Sequence, residues 1–395
     1  MTSELYIQIC KYLKGLIAGT AWEGHLYAVG GCCRDRIMGD EIKDIDLAVD
    51  MPDGGVKFAR WIARQHRVKG QPVFFRRFGT ARFVLKRFPD AELEIVQTRR
   101  GKYDKTTDAD PAAAFGSLEE DSFRRDLTMN TLFYDISREV MIDPTGMAMD
   151  DIRNCRLRTP MDPNLTFDDD PLRILRCVRF SIKYSHEIPA DMFEAMKLHA
   201  PGLDNVSRER IHNEFDKILM SKDPVGGLRL LDSVGALHMI VPELFSLRSE
   251  IAADGRSFFD HAFDTLDGLM ARRPGASWGA RMAALFQDLA VAAVKCVNAD
   301  GRVVYPGHAP ATTRMVRMIM RRMRYEGSQV ADVLFFIDYH MFGEYHPDPS
   351  RIKDRQLRRL QLDSRTRDRF DDLMALIDAD KASYASSMVH TDDLT

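Results

Sequence analysis

Residues 26–50, LYAVGGCCRDRIMGDEIKDIDLAVD, decide the fold of this chain. The apolar run 26–29 predicts a strand that ends at Gly30-Gly31, where backbone without side chains can approach a ligand closely. Cys32–Met38 then fits a short helix. A helix that begins at a glycine bend offers free N–H groups and a positive dipole end, which suits phosphate.

The segment after that helix predicts a second strand with two acids on one face. Side chains alternate along a strand, so Asp44 and Asp46 project to one side while Ile45 and Leu47 enter the core. Paired carboxylates repel each other unless a cation lies between them, and Mg²⁺ prefers oxygen ligands. Beside a phosphate-binding bend, this pair indicates nucleotide chemistry. The plainer interpretation is an ordinary turn followed by solvated acids.

The composition is that of a globular protein with local charge patches. The 395 residues are 45% hydrophobic and 29% charged, with a formal charge of −3, which excludes a uniformly basic nucleic-acid coat. The length allows two or three domains. Irregularly spaced cysteines predict neither a zinc site nor disulfides, and no segment resembles a signal peptide or membrane span. We expect a cytoplasmic protein without a membrane partner; the residues indicate no oligomeric state.

The next segments predict a small sheet with a helix inside it. Residues 54–66 fit a helix, and 72–78, 80–88 and 92–98 fit short strands. In the last of these, Glu94 lies in a strand pattern and could bring a third carboxylate to the two acids. An exposed glutamate on an edge strand explains it equally well.

A polar stretch, Arg100–Ser117, predicts a loop of functional length. The following residues, Leu118–Ile136, predict a helix that carries charged and amide side chains. Paired arginines could hold a triphosphate, and a carboxylate with an amide could read ribose hydroxyls; an exposed charged helix is the alternative. These side chains are Arg124, Arg125, Asp126 and Asn130.

The stretch 168–180, DDDPLRILRCVRF, predicts a helix capped by Asp170, with Arg173 pointing the same way. A carboxylate accepts from the exocyclic amine of cytosine or adenine, and an arginine donates to their unprotonated ring nitrogen. One such pair selects C and A against U and G. A simple N-cap followed by an arginine stripe is the structural alternative.

From residue 224 onward the pattern is helix after helix. Residues 312–325 and 351–369 are rich in arginine and could contact an RNA backbone, although solvated helix faces explain such runs as well.

Taken in order, these motifs resemble one family. GGCCRD, DID, RRDLTMNTLFYD, DPTG, DDPLRILRCVRF and SRERIHNEFDKIL are similar to the class II tRNA nucleotidyltransferase and poly(A) polymerase family, a branch of the DNA polymerase β superfamily. The resemblance covers about residues 25–245. It implies an α+β fold: a nucleotidyltransferase head with a small mixed sheet at 1–147, a base-recognising and tRNA-binding neck at 148–224, and a helical body and tail at 225–395.

The resemblance also implies roles for individual side chains. The catalytic set is Asp44, Asp46 and Glu94, of which Asp44 and Asp46 would bind Mg²⁺. The nucleotide-binding set is Gly30, Gly31, Arg34, Arg125, Asp126, Asn130, Asp170, Arg173, Arg176 and Arg179. The implied reaction is in-line attack of an RNA 3′-hydroxyl on the α-phosphate, with pyrophosphate as the leaving group.

Part of the downstream region is similar to HD phosphohydrolase domains. His261 stands at the first metal position of that domain, but Gln287-Asp288 replaces the His-Asp pair. An amide is a poor metal ligand beside imidazole, and His308 cannot restore the missing histidine. We expect an HD-like helical body without its metal centre.

The resemblance to CCA-adding members is strongest in IRNCRLRTPMDPNLTFDDDPLRILR. It implies addition or repair of the 3′ CCA end of tRNA from CTP and ATP. Poly(A) polymerase or A-adding activity in the same family is the alternative, and the loop at 100–117 disfavours a CC-adding enzyme. An HD-type phosphohydrolase, disfavoured by Gln287, is an alternative of another class.

Overall fold

The structure, a computed structural model, describes residues 1–75, 79–101, 114–252, 255–299, 301, 303–340 and 367–388. The chain divides into two compact units. We call Met1–Arg173 with His186–Met196 the head unit, and Ile174–Ser185 with Lys197–Thr395 the helical unit. The functional division at 147 and 224 stays a proposal.

The described part of the head unit contains one seven-stranded mixed sheet. Its strands are β1 (Leu26–Val29), β2 (Ile45–Val49), β3 (Val73–Phe75), β4 (Thr80–Leu85), β5 (Phe88–Gln97), β6 (Phe133–Asp135) and β7 (Val140–Ile142). The strand order is β3-β4-β5-β2-β1-β6-β7. The β2–β5 pair is parallel and the other pairs are antiparallel.

Eight α-helices accompany this sheet in the described residues, and those at Gly31–Met38 and Gly54–Arg64 lie where the sequence predicts them. They are α1 (Ser3–Ile17), α2 (Gly31–Met38), α3 (Gly54–Arg64), α4 (Leu118–Phe123), α5 (Ala148–Arg153) and α6 (Pro163–Asp169), while α7 (Leu172–Tyr184) and α8 (Ala190–His199) cross the division between the units. Aromatic packing joins α3 to the sheet. The ring of Phe58 lies 5.3 Å from Trp22 and 6.3 Å from Phe83.

The predicted helix Leu118–Ile136 is wrong beyond Phe123. A 3₁₀ turn follows at Thr128–Asn130, and Phe133–Asp135 becomes strand β6. The reason is tertiary: β6 pairs with both β1 and β7, so its backbone hydrogen bonds are made across the sheet. Sheet pairing overrides a helical side-chain pattern over so short a run.

The helical unit continues with short and long helices around an apolar interior. The elements are α9 (Arg208–Leu219), α10 (Pro224–Ser233), α11 (Ala236–Ile240), α12 (Phe258–Arg272), α13 (Trp278–Phe286), α14 (Val291–Val294), a ribbon of β8 (Cys296–Val297) and β9 (Val303–Val304), α15 (His308–Arg322), α16 (Gly327–Tyr339) and α17 (Arg367–Met388). None of the helices in the described ranges has the length and apolarity that crossing a bilayer requires. The predicted α+β class is confirmed.

Candidate active site

The glycine bend at the end of β1 is shaped by an arginine. Gly30 has φ 69° and ψ −125°, a conformation that side chains disfavour, and its N–H donates to the Leu132 carbonyl at 3.0 Å. A Cβ on Gly30 would lie 2.9 Å from Nη1 of Arg125. The absence of a side chain therefore lets the guanidinium lie directly against the bend.

The acids of β2 lie where the alternation predicts. Ile45 and Leu47 are fully buried, whereas Asp44 and Asp46 are exposed. On the parallel neighbour β5, Glu94 stands in register with Asp46, so both side chains leave the same face of the sheet. Glu94 Oε2 accepts a hydrogen bond from Arg82 Nε at 2.7 Å. The third carboxylate is thus beside the acids and is held by an arginine.

Crowding of these acids changes the proton affinity of Asp46. The pKa of Asp46 is raised to about 6, first by burial and then by repulsion from Glu94 and Asp44, against the opposing charges of Arg125 and Arg82. Asp46 nevertheless remains exposed to solvent. Neighbouring carboxylates that repel each other are suitable ligands for a hard divalent cation. Asp44 and Asp46 fit that requirement.

The contact that the structure gives Glu94 is an ion pair with Arg82. Among the residues that the structure describes, no group of three side chains with ligand atoms within 4.8 Å of one another includes Asp44, Asp46 and Glu94; the two such groups lie in the helical unit. In this conformation the partner of Glu94 is Arg82, a residue that the sequence patterns did not single out.

Buried Asp121 accepts hydrogen bonds from both Arg124 and Arg125. The sequence patterns did not identify this residue. Asp121 Oδ1 accepts from Arg124 Nε at 2.9 Å, and Oδ2 accepts from Arg125 Nε at 3.0 Å and Nη2 at 2.8 Å. Burial alone would raise the pKa of Asp121, but Arg125 and Arg124 outweigh it and the net shift is downward. The i, i+3 and i, i+4 spacings in DSFRR were the available signal.

Hydrogen bonds connect the two separate motifs that the sequence predicts to bind the nucleotide. Arg34 Nη1 donates to the side-chain oxygen of Asn130, and Asn130 Nδ2 donates to Asp126 Oδ1 at 3.0 Å. Asp35, also missed from the sequence, accepts from Arg34 Nε at 2.9 Å and Nη2 at 2.7 Å. All four side chains are buried, so a fixed network underlies this part of the site.

The ion-pair partner of Arg173 is Asp169. Arg173 Nη2 lies 2.8 Å from Asp169 Oδ2 and donates to the Arg124 carbonyl at 2.6 Å, and Nη1 donates to the Thr166 carbonyl at 3.0 Å. Asp170 accepts a 3.3 Å hydrogen bond from Leu172 N, as expected of the cap of α7. The sequence had paired Arg173 with Asp170 through spacing alone.

Arg176 and Arg179 lie in the helical unit, where they pair with Glu214 of α9. Arg179 Nε is 2.8 Å and Arg176 Nη1 is 3.7 Å from the carboxylate. Burial would raise the pKa of Glu214, but Arg179, Arg176 and then Lys217 lower it. These contacts join α7 to α9, so the two arginines have a packing role within this unit.

The arginine-rich segment at 312–325 is partly exposed. Arg314, Arg317 and Arg321 are exposed, whereas Arg322 Nη2 donates to Glu243 Oε2 at 2.9 Å. Residues 351–366 of the second basic segment, and 102–113 of the predicted loop, lie outside the described residues.

Two stretches of this chain match models of domains that are both described as parts of poly(A) polymerases. Residues 26–158 match the poly A polymerase head domain, and 187–247 match the probable RNA and SrmB- binding site of polymerase A. A multifunctional CCA protein of Neisseria meningitidis is 32% identical over 302 residues, which span 75% of this chain and 68% of that protein. The chain belongs to the class II tRNA nucleotidyltransferase family.

Two further comparisons place this class II tRNA nucleotidyltransferase family member among its relatives. The tRNA nucleotidyltransferase cca1 of Schizosaccharomyces pombe is 33% identical over 253 residues, 60% of this chain and 49% of that protein. The chain spans about half the length of such fungal relatives. A crystal structure of a tRNA nucleotidyltransferase with a primer tRNA and an incoming ATP analog has a TM-score of 0.60 at 19% identity, covering 94% of this chain and 95% of that one. This likeness establishes the fold. Membership of the family implies use of a divalent metal ion.

Proposed function

We propose that this chain is a Mg²⁺-dependent CCA tRNA nucleotidyltransferase, which adds or repairs the 3′ CCA end of tRNA from CTP and ATP. The observation that carries the proposal is the convergence of Gly30, Asp46 and Arg125. The bend contacts the guanidinium, and the charges of Arg125 and Asp46 act on each other. A phosphate-binding bend, an acid for a cation and an arginine for a triphosphate thus share one end of the sheet.

Asp44 and Asp46 would hold the metal ion. When bound, Mg²⁺ supplies a lowered pKa for the attacking 3′-hydroxyl and neutralises charge on the leaving pyrophosphate. Gly30 and Gly31 let the triphosphate approach the backbone at the start of α2. Arg125 offers donors to its oxygens, and Asp121 fixes the orientation of that guanidinium.

Base and ribose recognition falls to the remaining side chains. Asp126 and Asn130 would contact ribose hydroxyls, with Arg34 holding the amide in place. Asp170 would accept from the exocyclic amine of C or A, and Arg173 would donate to the adjacent ring nitrogen. The guanidinium of Arg173 carries more N–H donors than its contacts with Asp169, Arg124 and Thr166 use. Those contacts would orient the guanidinium plane of Arg173 toward the base. Arg176 and Arg179 would support helix α7 through their ion pairs with Glu214.

Location and partners complete the proposal. The six cysteines are free, in keeping with a reducing compartment such as the cytoplasm. The relative with a primer tRNA and an ATP analog supports tRNA and nucleoside triphosphates as substrates.

Single-nucleotide extension tests the proposal. Purified protein is given tRNA transcripts that lack CCA or end in C, CC or CCA, with each of the four nucleotides supplied alone and then CTP with ATP. We expect C on the first two transcripts, A on the third and none on the completed end. Addition of A to unrelated RNA without any C would mean a poly(A) polymerase. Addition of A only to CC-ending tRNA would mean an A-adding enzyme.

A further inference from the structure

The apolar interior of the helical unit contains a group of buried polar side chains, which we call the buried polar cluster. They come from α12, from the residues after α13, from the start of α15, from the end of α16 and from α17. The cluster consists of His261, Gln287, Asp288, His308, His340 and Asp380. Five of the six are at most 5% exposed, and the His308 side chain is 15% exposed. Buried polar groups are costly unless each finds a partner.

On one side of the cluster, hydrogen bonds link His261, Gln287 and Asp380. His261 Nε2 lies 2.9 Å from Asp380 Oδ1, and its Nδ1 lies 2.7 Å from Ser383 Oγ. The Gln287 amide nitrogen donates to the same Asp380 oxygen. On this side, where an HD-type centre would hold its metal, the amide of Gln287 satisfies the carboxylate directly.

The other side presents unsatisfied acceptors. Within the cluster, Gln287 Oε1, Asp288 Oδ2 and His340 Nε2 are buried and have no hydrogen-bond partner among the described residues. His308 Nε2 approaches Asp288 Oδ1 to 3.9 Å. Asp288 Oδ2 lies 3.6 Å from His261 Nε2, too far for a hydrogen bond, so Asp288 stands between His261 on one side and His308 with His340 on the other.

The tautomers of both histidines are set by the backbone. His340 Nδ1 lies 2.6 Å from the Ile337 carbonyl, and His308 Nδ1 lies 3.3 Å from the Tyr305 carbonyl. A carbonyl only accepts, so each Nδ1 carries the proton and each neutral ring presents a lone pair at Nε2. An imidazole held in this way by its other nitrogen is the usual form of a metal-binding histidine.

We propose that Asp288, His308 and His340 bind a divalent first-row transition metal ion, with Zn²⁺ the best match. Two imidazole nitrogens and one carboxylate oxygen suit zinc and disfavour Mg²⁺. Their ligand atoms lie within 4.8 Å of one another, and tetrahedral ligands at ~2.1 Å from zinc are about 3.4 Å apart. Small side-chain rotations close that difference.

This ligand set differs from the HD pattern that the sequence resembles, because it omits His261 and Gln287. His308 does not replace the residue missing at Gln287: its Nε2 lies 3.9 Å from Asp288 Oδ1, whereas His261 Nε2 lies 3.6 Å from Asp288 Oδ2. The ion would join the segment after α13, the start of α15 and the end of α16. Its role would be to stabilise the helical unit, and it is independent of the proposed function.

Metal content and affinity test the proposal on the full chain. Exposed Cys155 and Cys296 are first changed to serine so that thiols do not bind the ion. The protein is stripped with a chelator and titrated with Zn²⁺ by calorimetry, and with Co²⁺ by visible absorption, which reports nitrogen and oxygen ligands. We expect one equivalent of tightly bound ion and a rise in Tm of a few degrees on loading, roughly what binding at 100 times Kd provides.

Matched variants locate the site. His308→Gln and His340→Gln should each weaken Zn²⁺ binding at least tenfold and remove the rise in Tm, whereas His238→Gln, an exposed histidine of the same unit, should change neither. If His340→Gln does not fold, His308→Gln still provides the test, because the His308 side chain is 15% exposed whereas His340 is 3% exposed. Asp46→Asn should leave binding unchanged, which separates this site from the head unit. Failure to bind Zn²⁺, Fe²⁺ or Mn²⁺, binding that survives loss of His308, or binding lost only in His261→Gln would each overturn the proposal.

Discussion

Arg173 donates a hydrogen bond from Nη2 to the main-chain carbonyl of Arg124 at 2.6 Å. The side chain of Arg124 is anchored on Asp121, which also holds Arg125. The candidate base-reading arginine is thereby joined to the candidate triphosphate-binding arginine through one short piece of backbone. A change at Asp121 should consequently be felt at both ends of a bound nucleotide.

Asp121→Asn should raise the KM for CTP and ATP about tenfold, or ~1.4 kcal/mol, because two guanidinium groups lose their shared anionic partner. Steady-state extension of tRNA ending in C and in CC measures the effect. The KM for tRNA should change little, which distinguishes a positioning role from general loss of structure. Glu119→Gln, an exposed change on the same helix, is the control. An unaltered nucleotide KM in a folded Asp121→Asn variant would refute the role.

Asp46→Ala should reduce nucleotide transfer on the order of 10³-fold or more, since the site loses one of two carboxylates for the metal ion. Circular dichroism should show an intact fold, because Asp46 points away from the core. Asp90→Ala, at an exposed position of β5, controls for removal of an acid from the same sheet. Turnover near that of the control would exclude Asp46 from metal binding.

The pH dependence of stability should reveal the crowding at Asp46. Its folded pKa of about 6 lies above the unfolded value near ~3.9, so the folded state binds more protons between these values and stability falls as pH rises through that window. Asp46→Asn removes this effect. In metal-free buffer the variant should match the wild type near pH 4 and be the more stable protein above pH ~6. Chemical denaturation across that range measures it, and parallel curves would contradict the shift.

Asp170→Asn should admit UTP and GTP, because an amide can donate to their carbonyl groups while still capping α7. We expect the preference for C and A to fall about tenfold or more. Asp169→Asn should instead slow C and A addition together, since Arg173 loses its ion pair but the base-reading carboxylate remains. Extension with each nucleotide alone measures both. Unchanged discrimination in Asp170→Asn would mean that the base is read elsewhere.

Gly30→Ala should destabilise the protein by about 3 kcal/mol, because its φ and ψ are nearly exclusive to glycine and the new Cβ would meet Arg125. Gly39→Ala is the control for the effect of positive φ alone. Gly39 also has positive φ, but a Cβ there meets nothing within 4 Å, and we expect ~1 kcal/mol. Urea denaturation gives both values. Equal losses would show that the approach of Arg125 does not matter.

Several features of this chain follow from local sequence. The alternation of Asp44, Ile45, Asp46 and Leu47 was predicted because a strand has a period of two, whatever lies next to it. The glycine bend at Gly30 and the cap at Asp170 are equally local, since each depends on one residue and its immediate neighbours. The order of the motifs along the chain likewise indicates the family from the sequence alone.

Tertiary structure alone decided the partners. Phe133–Asp135 became a strand because β1 and β7 take its hydrogen bonds. Arg173 donates to the carbonyl of Arg124 because the fold brings residue 124 to it. Asp288, His308 and His340 are distant in sequence and have no spacing signal. Their proximity arises only when the helices pack, whereas the carbonyls that orient both imidazoles are local, three residues before each histidine. Local geometry is set by the residues themselves, whereas a contact between distant residues depends on every element that lies between them.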